Sequence, residues 1–228
     1  MSADRSASFL AALLLAAPAA AMPPLDLQVG YSDQVVTARN FDLVNGWDHL
    51  SGIGVALSVR PVQRWPRLWL MLDEQYASSQ AGFHQAGSTA LQAHDLGLSA
   101  LYRRQLVGPL AWFARLGARV EIANLALQDG SGNTLASQWQ AEPGVGGGLG
   151  LELAARPLDW DATEAHDRGF GLNLEVGYEW FPDLPFDGLA PPTPNPKPTP
   201  APIPSAPVAL GPMTLSGLRV GLNAFVRF

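Results

Sequence analysis

Arginines and carboxylates recur along this chain at alternating positions, most of them set between apolar neighbours. Arg60, Arg103, Arg115, Arg119, Arg156, Arg219 and Arg227 share this setting with Asp26, Asp73, Asp95, Glu121, Glu152, Glu175 and Glu179. A guanidinium offers a planar fork of N–H donors, and a carboxylate accepts two of them at once. Gathered in a confined space, such groups must pair, because a buried unpaired charge is costly. The chemistry they offer is either a polar plug of ion pairs or a narrow conduit lined by them.

Two further groups carry chemical potential. His49 and Ser51 stand two apart in WDHLSGIG, hence on one face of a strand, where an imidazole could activate a hydroxyl. The alternative is a polar rim at the top of that strand. In PLDWDATEAHDR, residues 157–168, Asp159, Asp161, Glu164 and Asp167 accompany His166. Their spacing does not fit a calcium loop with ligands at fixed positions around a central Gly, so a solvated acidic turn is expected. No cofactor or metal is implied. The chain has no cysteine, which excludes a disulfide framework and a thiolate zinc site. A net charge of −6 gives no basic footprint for nucleic acid.

The elements that must position these residues alternate with period two. Strands are expected at about 25–31, 49–60, 67–77, 94–105, 110–124, 143–156, 169–181 and 215–228. In the seventh, Phe170, Leu172, Leu174, Val176, Tyr178 and Trp180 oppose Gly171, Asn173, Glu175, Gly177 and Glu179. In the eighth, Leu218, Val220, Leu222, Ala224, Val226 and Phe228 oppose Gly217, Arg219, Gly221, Asn223, Phe225 and Arg227. The third is the least regular, since Glu74 falls on its apolar parity.

One parity is greasy and the other small, polar or charged. A soluble sandwich would also alternate, but its water-facing side would tolerate lysine freely, and the sequence has only Lys197, in a loop. Phe170 and Trp180 bracket the apolar face of one strand at about a membrane's thickness, and with Trp112 and Tyr178 they read as an aromatic girdle.

Residues 1–21, with the apolar run Phe9 to Ala17 and an A-x-A site at 19–21, read as a cleaved secretory signal. Residues 22–228 then form the barrel domain. Beyond residue 21 no run approaches the ~20 apolar residues of a spanning helix, so a membrane location requires a closed barrel. The connections 32–48, 78–92, 125–142 and 182–212 are long and expected outside, while 61–66 and 105–109 are short and expected inside. The last long connection contains APPTPNPKPTPAPIPSAP, 190–207, in which nine of eighteen residues are proline. It favours an extended polyproline conformation, and is either a variable loop or a spacer for a surface partner.

The alternating segments, the signal and the terminal Phe228 together resemble the small eight-stranded outer-membrane barrels of the OmpA, OmpX and OmpW type. The resemblance implies an all-β, antiparallel, up-and-down transmembrane barrel in the outer membrane, monomeric and surrounded by lipid. It also implies that Phe228, with Leu222, Ala224 and Val226, serves as the signal for the barrel-assembly machinery. His49 and Ser51 resemble the His-x-Ser pair of lipid A deacylases of the PagL type, but Gly52 stands where that family has Asn. The expected role is structural or surface interaction, not enzymatic, with a lumen plugged by arginine–carboxylate pairs. A narrow channel is the first alternative and a lipid A-modifying enzyme the second.

Overall fold

In the computed structural model the alternating segments are strands of one closed ring. The structure describes residues 24–38, 41, 45, 47–62, 64–83, 87–155, 158, 168–186, 189 and 211–228. The strands are β1 (Leu25–Val36), β2 (His49–Val59), β3 (Leu68–Phe83), β4 (Gly87–Val107), β5 (Leu110–Asp129), β6 (Thr134–Ala154), β7 (Gly169–Trp180), β8 (Leu184–Phe186), β9 (Gly211–Met213) and β10 (Gly217–Arg227). Eight of them close a barrel in the order β1-β10-β7-β6-β5-β4-β3-β2, every neighbour antiparallel. β8 and β9 pair only with each other.

The ring is staggered. Directly opposed residues lead from Leu151 through Leu174, Leu222, Tyr31, Ile53, Tyr76, His94 and Ile122 to Ala141, so the path returns to β6 ten residues from its start. A closed sheet requires such a stagger, with strands tilted roughly 35–45° to the axis. The short β4–β5 turn depends on Gly108 at φ 51°, and the β5–β6 tip on Gly132 at φ 82°, both in the left-handed region that glycine enters without strain.

Burial is inverted relative to a water-soluble domain. Val29, Ile53, Leu98, Leu116 and Leu149 stand exposed on the outer face, Leu116 to 70%, whereas Asp26, Arg103, Arg119 and Glu179 are buried inside. A contiguous apolar exterior of this kind is the surface of a membrane barrel. No described helix is long and apolar enough to cross a membrane.

The structure extends several elements beyond the expected bounds. β1 continues from Tyr31 to Val36. β3 reaches Phe83 and β4 begins at Gly87, so most of the expected loop 78–92 is ladder. β5 runs to Asp129 and β6 starts at Thr134, which turns most of 125–142 into a projecting hairpin. Within the expected loop 182–212, β8 and β9 are strand. Residues 1–21, Arg156, the 190–207 segment and all of 157–168 except Leu158 and Arg168 lie outside the described residues.

Candidate functional site

The inward parity of the eight strands builds the lumen as stacked layers. Nearest the short turns, Asp26 of β1 binds Arg103 of β4 at 2.5 Å and Arg227 of β10 at 2.7 Å, and Arg103 also reaches Glu152 of β6 at 3.1 Å. Trp69 lies against both guanidiniums, with Arg103 and Arg227 at 4.6 and 4.8 Å from its ring and Arg60 at 6.0 Å. An indole face adds cation–π attraction to charges already neutralised by carboxylates. At the same end of the barrel Ala111, Ala154, Leu158 and Phe225 form a small apolar cluster.

A second, separate network fills the middle of the barrel. Arg119 Nη2 contacts Asp73 and Asp95, each at 2.6 Å, and its Nε lies 3.4 Å from Glu179. Arg115 pairs with Glu175 and, at 3.3 Å, with Glu179. Arg219 meets Glu179 at 2.9 Å and Glu175 at 3.3 Å, and donates to Gln75 at 2.8 Å. Gly97 makes room for the cross-connection, since a Cβ there would stand 2.6 Å from Asp73 Oδ1 and 2.7 Å from Arg119 Nη1. Glu121 departs from the expected pairing. It is buried opposite Asp95, yet no ion pair reaches it among the described residues. Beside this network a cavity of about 50 Å³ is bordered by Gln28, Ser32, Gln75, Arg219 and Asn223, room on the order of one or two waters.

Above the ions, at the end with the long connections, the lumen changes character. Leu184 and Phe186 of β8, Leu189, Met213 of β9 and Leu215 are buried against Leu50, Leu91, Ala93, Ala123 and Leu125 of the barrel wall. The described residues of the connection between β7 and β10 thus fold inward and stopper the mouth. Ser216 anchors it, donating to Phe181 O at 3.0 Å and accepting from Phe181 N at 2.8 Å. Gln138 and Gln140 of β6 donate to Pro185 O at 3.2 and 2.7 Å. Two strands of three residues are too short to show a period, so sequence reasoning missed the stopper. The apolar pair Leu184 and Phe186, two apart among prolines, was its one signal.

The outer face carries its own polar groups. Asp33 of β1 accepts from His49 Nδ1 at 2.7 Å and from Ser51 Oγ at 2.8 Å. Sequence reasoning did not single out Asp33, because only the register that opposes it to Ser51 brings it there. Ser51 Oγ thus donates its hydrogen bond to Asp33, and one carboxylate brackets both His49 and Ser51. Glu74 also faces outward, 3.4 Å from His94, whose ring lies against Tyr76 at 5.0 Å.

Phe170, Tyr178 and Trp180 project outward from β7, and Trp112 of β5 stacks on Tyr102 with ring centres 5.6 Å apart. Phe170 and Trp180 are ten residues apart on β7. At a rise of ~3.3 Å and a tilt of ~45° that spans about 23 Å of the barrel axis, close to the height of a membrane band. Leu222, Val226 and Phe228 lie on the outer face of β10 and its end, and Phe228 N donates to Leu25 O at 2.9 Å.

No protein-family model matches the sequence, and no curated protein is similar to it. Among solved structures, the chain superimposes on the outer membrane protein OprG of Pseudomonas aeruginosa with a TM-score of 0.57 at 10% identity, over 91% of this chain and 96% of that one. It also resembles Ail, the attachment invasion locus protein of Yersinia pestis, in complex with the heparin analogue sucrose octasulfate (TM-score 0.49, 9% identity, 91% of this chain and 100% of that one). A third likeness is to Neisserial surface protein A (TM-score 0.43, 16% identity, 90% and 94%). The chain has the fold of the small eight-stranded outer-membrane β-barrels.

Proposed function

We propose that this outer-membrane-type barrel is a closed scaffold that holds its long-connection end at the cell surface for contact with a partner, and does not transport solute. The observation that carries this reading is the double closure of the lumen. Two ionic layers span its cross-section, and an apolar stopper covers them at the mouth. Opening would require both to move, and separating a buried ion pair costs about 3–5 kcal/mol. Material for contact lies in the projecting hairpins β3–β4 and β5–β6 and in the Pro-rich connection that β8 and β9 bracket. On this reading the chain is a monomer in lipid, inserted by the barrel-assembly machinery through the outer face of β10 and Phe228.

The test is conductance across a planar bilayer, with folding first established by the mobility difference between heated and unheated samples. Folded protein is expected to be silent. Reproducible discrete steps from folded protein would overturn the closed reading in favour of a narrow channel. The lipid A-modifying reading finds less support, because Ser51 is engaged by Asp33.

A further inference from the structure

The outer rim at the short-turn end is asymmetric in charge. The sequence has no carboxylate from Val59 to Leu72 or from Leu96 to Leu116, the stretches that contain the β2–β3 and β4–β5 turns. Setting aside the lumen-facing Arg60, Arg103 and Arg115, the cations of these stretches are Arg64, Arg67 and Arg104. Arg64 is exposed and stacks on Trp65 at 5.2 Å. Arg104 is exposed on β4 opposite Trp112.

These groups border a built groove. Arg64, Trp65, Pro66, Arg67, Leu68 and Tyr102 line an open space of about 500 Å³ on the barrel's exterior. Its shape is set by backbone hydrogen bonds that pin the turn: Trp65 N to Val62 O at 3.0 Å, Leu68 N to Trp65 O at 3.1 Å and Arg103 N to Arg67 O at 2.8 Å. Trp69 Nε1 adds a bond to Pro66 O at 3.2 Å. One wall of the groove, Leu68 and Tyr102, continues into the apolar belt through the exposed Leu70 and Leu98. In a membrane that wall faces acyl chains, and the arginines lie beside it toward the short turns, where the hydrocarbon ends.

We infer that this groove binds the phosphate headgroup of an anionic phospholipid, with an acyl chain lying along Leu68, Leu70 and Tyr102. Guanidiniums match phosphate oxygens in a two-pronged fashion, and the β2–β3 and β4–β5 turns bring no carboxylate to oppose the phosphate, the acidic residues of that end belonging to the connection between β6 and β7. Trp65 suits the same level, with an apolar body and a polar N–H. The inference rests on the barrel lying in a membrane and not on whether its lumen conducts.

To test it, the full chain is refolded into vesicles of equimolar phosphatidylcholine and phosphatidylglycerol and extracted in mild detergent. Lipid retained per barrel is then measured by native mass spectrometry. Wild-type protein is expected to retain phosphatidylglycerol in preference, and that preference is expected to fall about fivefold for each arginine removed in Arg64→Gln and Arg64→Gln/Arg67→Gln, the factor that ~1 kcal/mol per basic residue gives. Arg168→Gln, at the start of β7 and away from the groove, is expected to keep it. Equal retention of both lipids by the wild type, as for a groove made for a protein partner, would overturn the inference. So would a preference that survives both variants. The heated-versus-unheated mobility shift is read in parallel, so lost preference in a barrel that still shifts leaves the barrel reading standing. The exposed Arg64→Gln change alone decides the matter if the double variant does not refold.

Discussion

Asp26 and Arg227 stand directly opposite each other across the seam where the first and last barrel strands meet, and the carboxylate accepts from Nε at 2.7 Å and from Nη2 at 2.9 Å. They are 201 residues apart in sequence. The same carboxylate binds Arg103, so one side chain ties the seam to the opposite wall through the lumen.

Replacing Asp26 by Ala removes the carboxylate that bridges two buried guanidiniums. The expected loss is about 3–5 kcal/mol, read as a shift of the urea unfolding midpoint in detergent. Adding Arg227→Gln to that variant is expected to restore part of the loss, because the excess buried positive charge falls. A double-mutant cycle with no coupling would show that the bridge contributes nothing to closure.

The stopper and the ionic layers are expected to act in series. Replacing residues 184–213 with a short glycine linker leaves all eight barrel strands and their pairing, so the variant is expected to fold and to remain silent in a planar bilayer. Combining the linker with Arg119→Ala and Glu179→Ala in the middle layer and Arg103→Ala and Glu152→Ala in the layer near the short turns opens the whole series, and discrete conductance steps are the expected result. Steps from the linker variant alone would mean that the ionic layers do not seal the lumen.

The tip of the β5–β6 hairpin, above the apolar belt, has its own pH dependence. The side chain and backbone N–H of Asn133, with the N–H groups of Ser131 and Gly132, hold the Asp129 carboxyl below its ordinary value. A depressed carboxyl stabilises the tip above the unfolded value of ~3.9, and the contribution fades as pH falls through the lower folded value. Carboxyl carbon shifts measured by NMR against pH are expected to report this, and Asn133→Ala to move the Asp129 midpoint upward. An unchanged midpoint would remove Asn133 as the cause.

The sequence revealed most where one face meets hydrocarbon and the other a crowded lumen. β7 reads unambiguously because Phe170 to Trp180 are apolar at every second position and Glu175 and Glu179 are not. Above the belt the outer face leaves hydrocarbon and the inner face packs on the apolar stopper, so SSQAGF in β3 and SQWQAE in β6 lose the greasy-outside period and read as loops. The charged inner set was visible as a parity, but its division into two networks was not. That division follows from which strands the stagger brings to one height. Asp33 and the stopper were hidden for the same reason, since their contacts come from the register and the return of a long connection.

Leu184 and Met213, and Phe186 and Gly211, are opposed in the β8–β9 pair, so the two ends of the intervening chain are held side by side. For a segment whose ends are already held together, each doubling of length costs only about 0.6 kcal/mol of loop-closure entropy. The barrel below is thereby insulated from how long that segment is or what it says. Past Leu189, which packs in the stopper, mutation can rewrite it, or an engineer can replace it with a foreign epitope, while the ladder and the ions beneath keep their register.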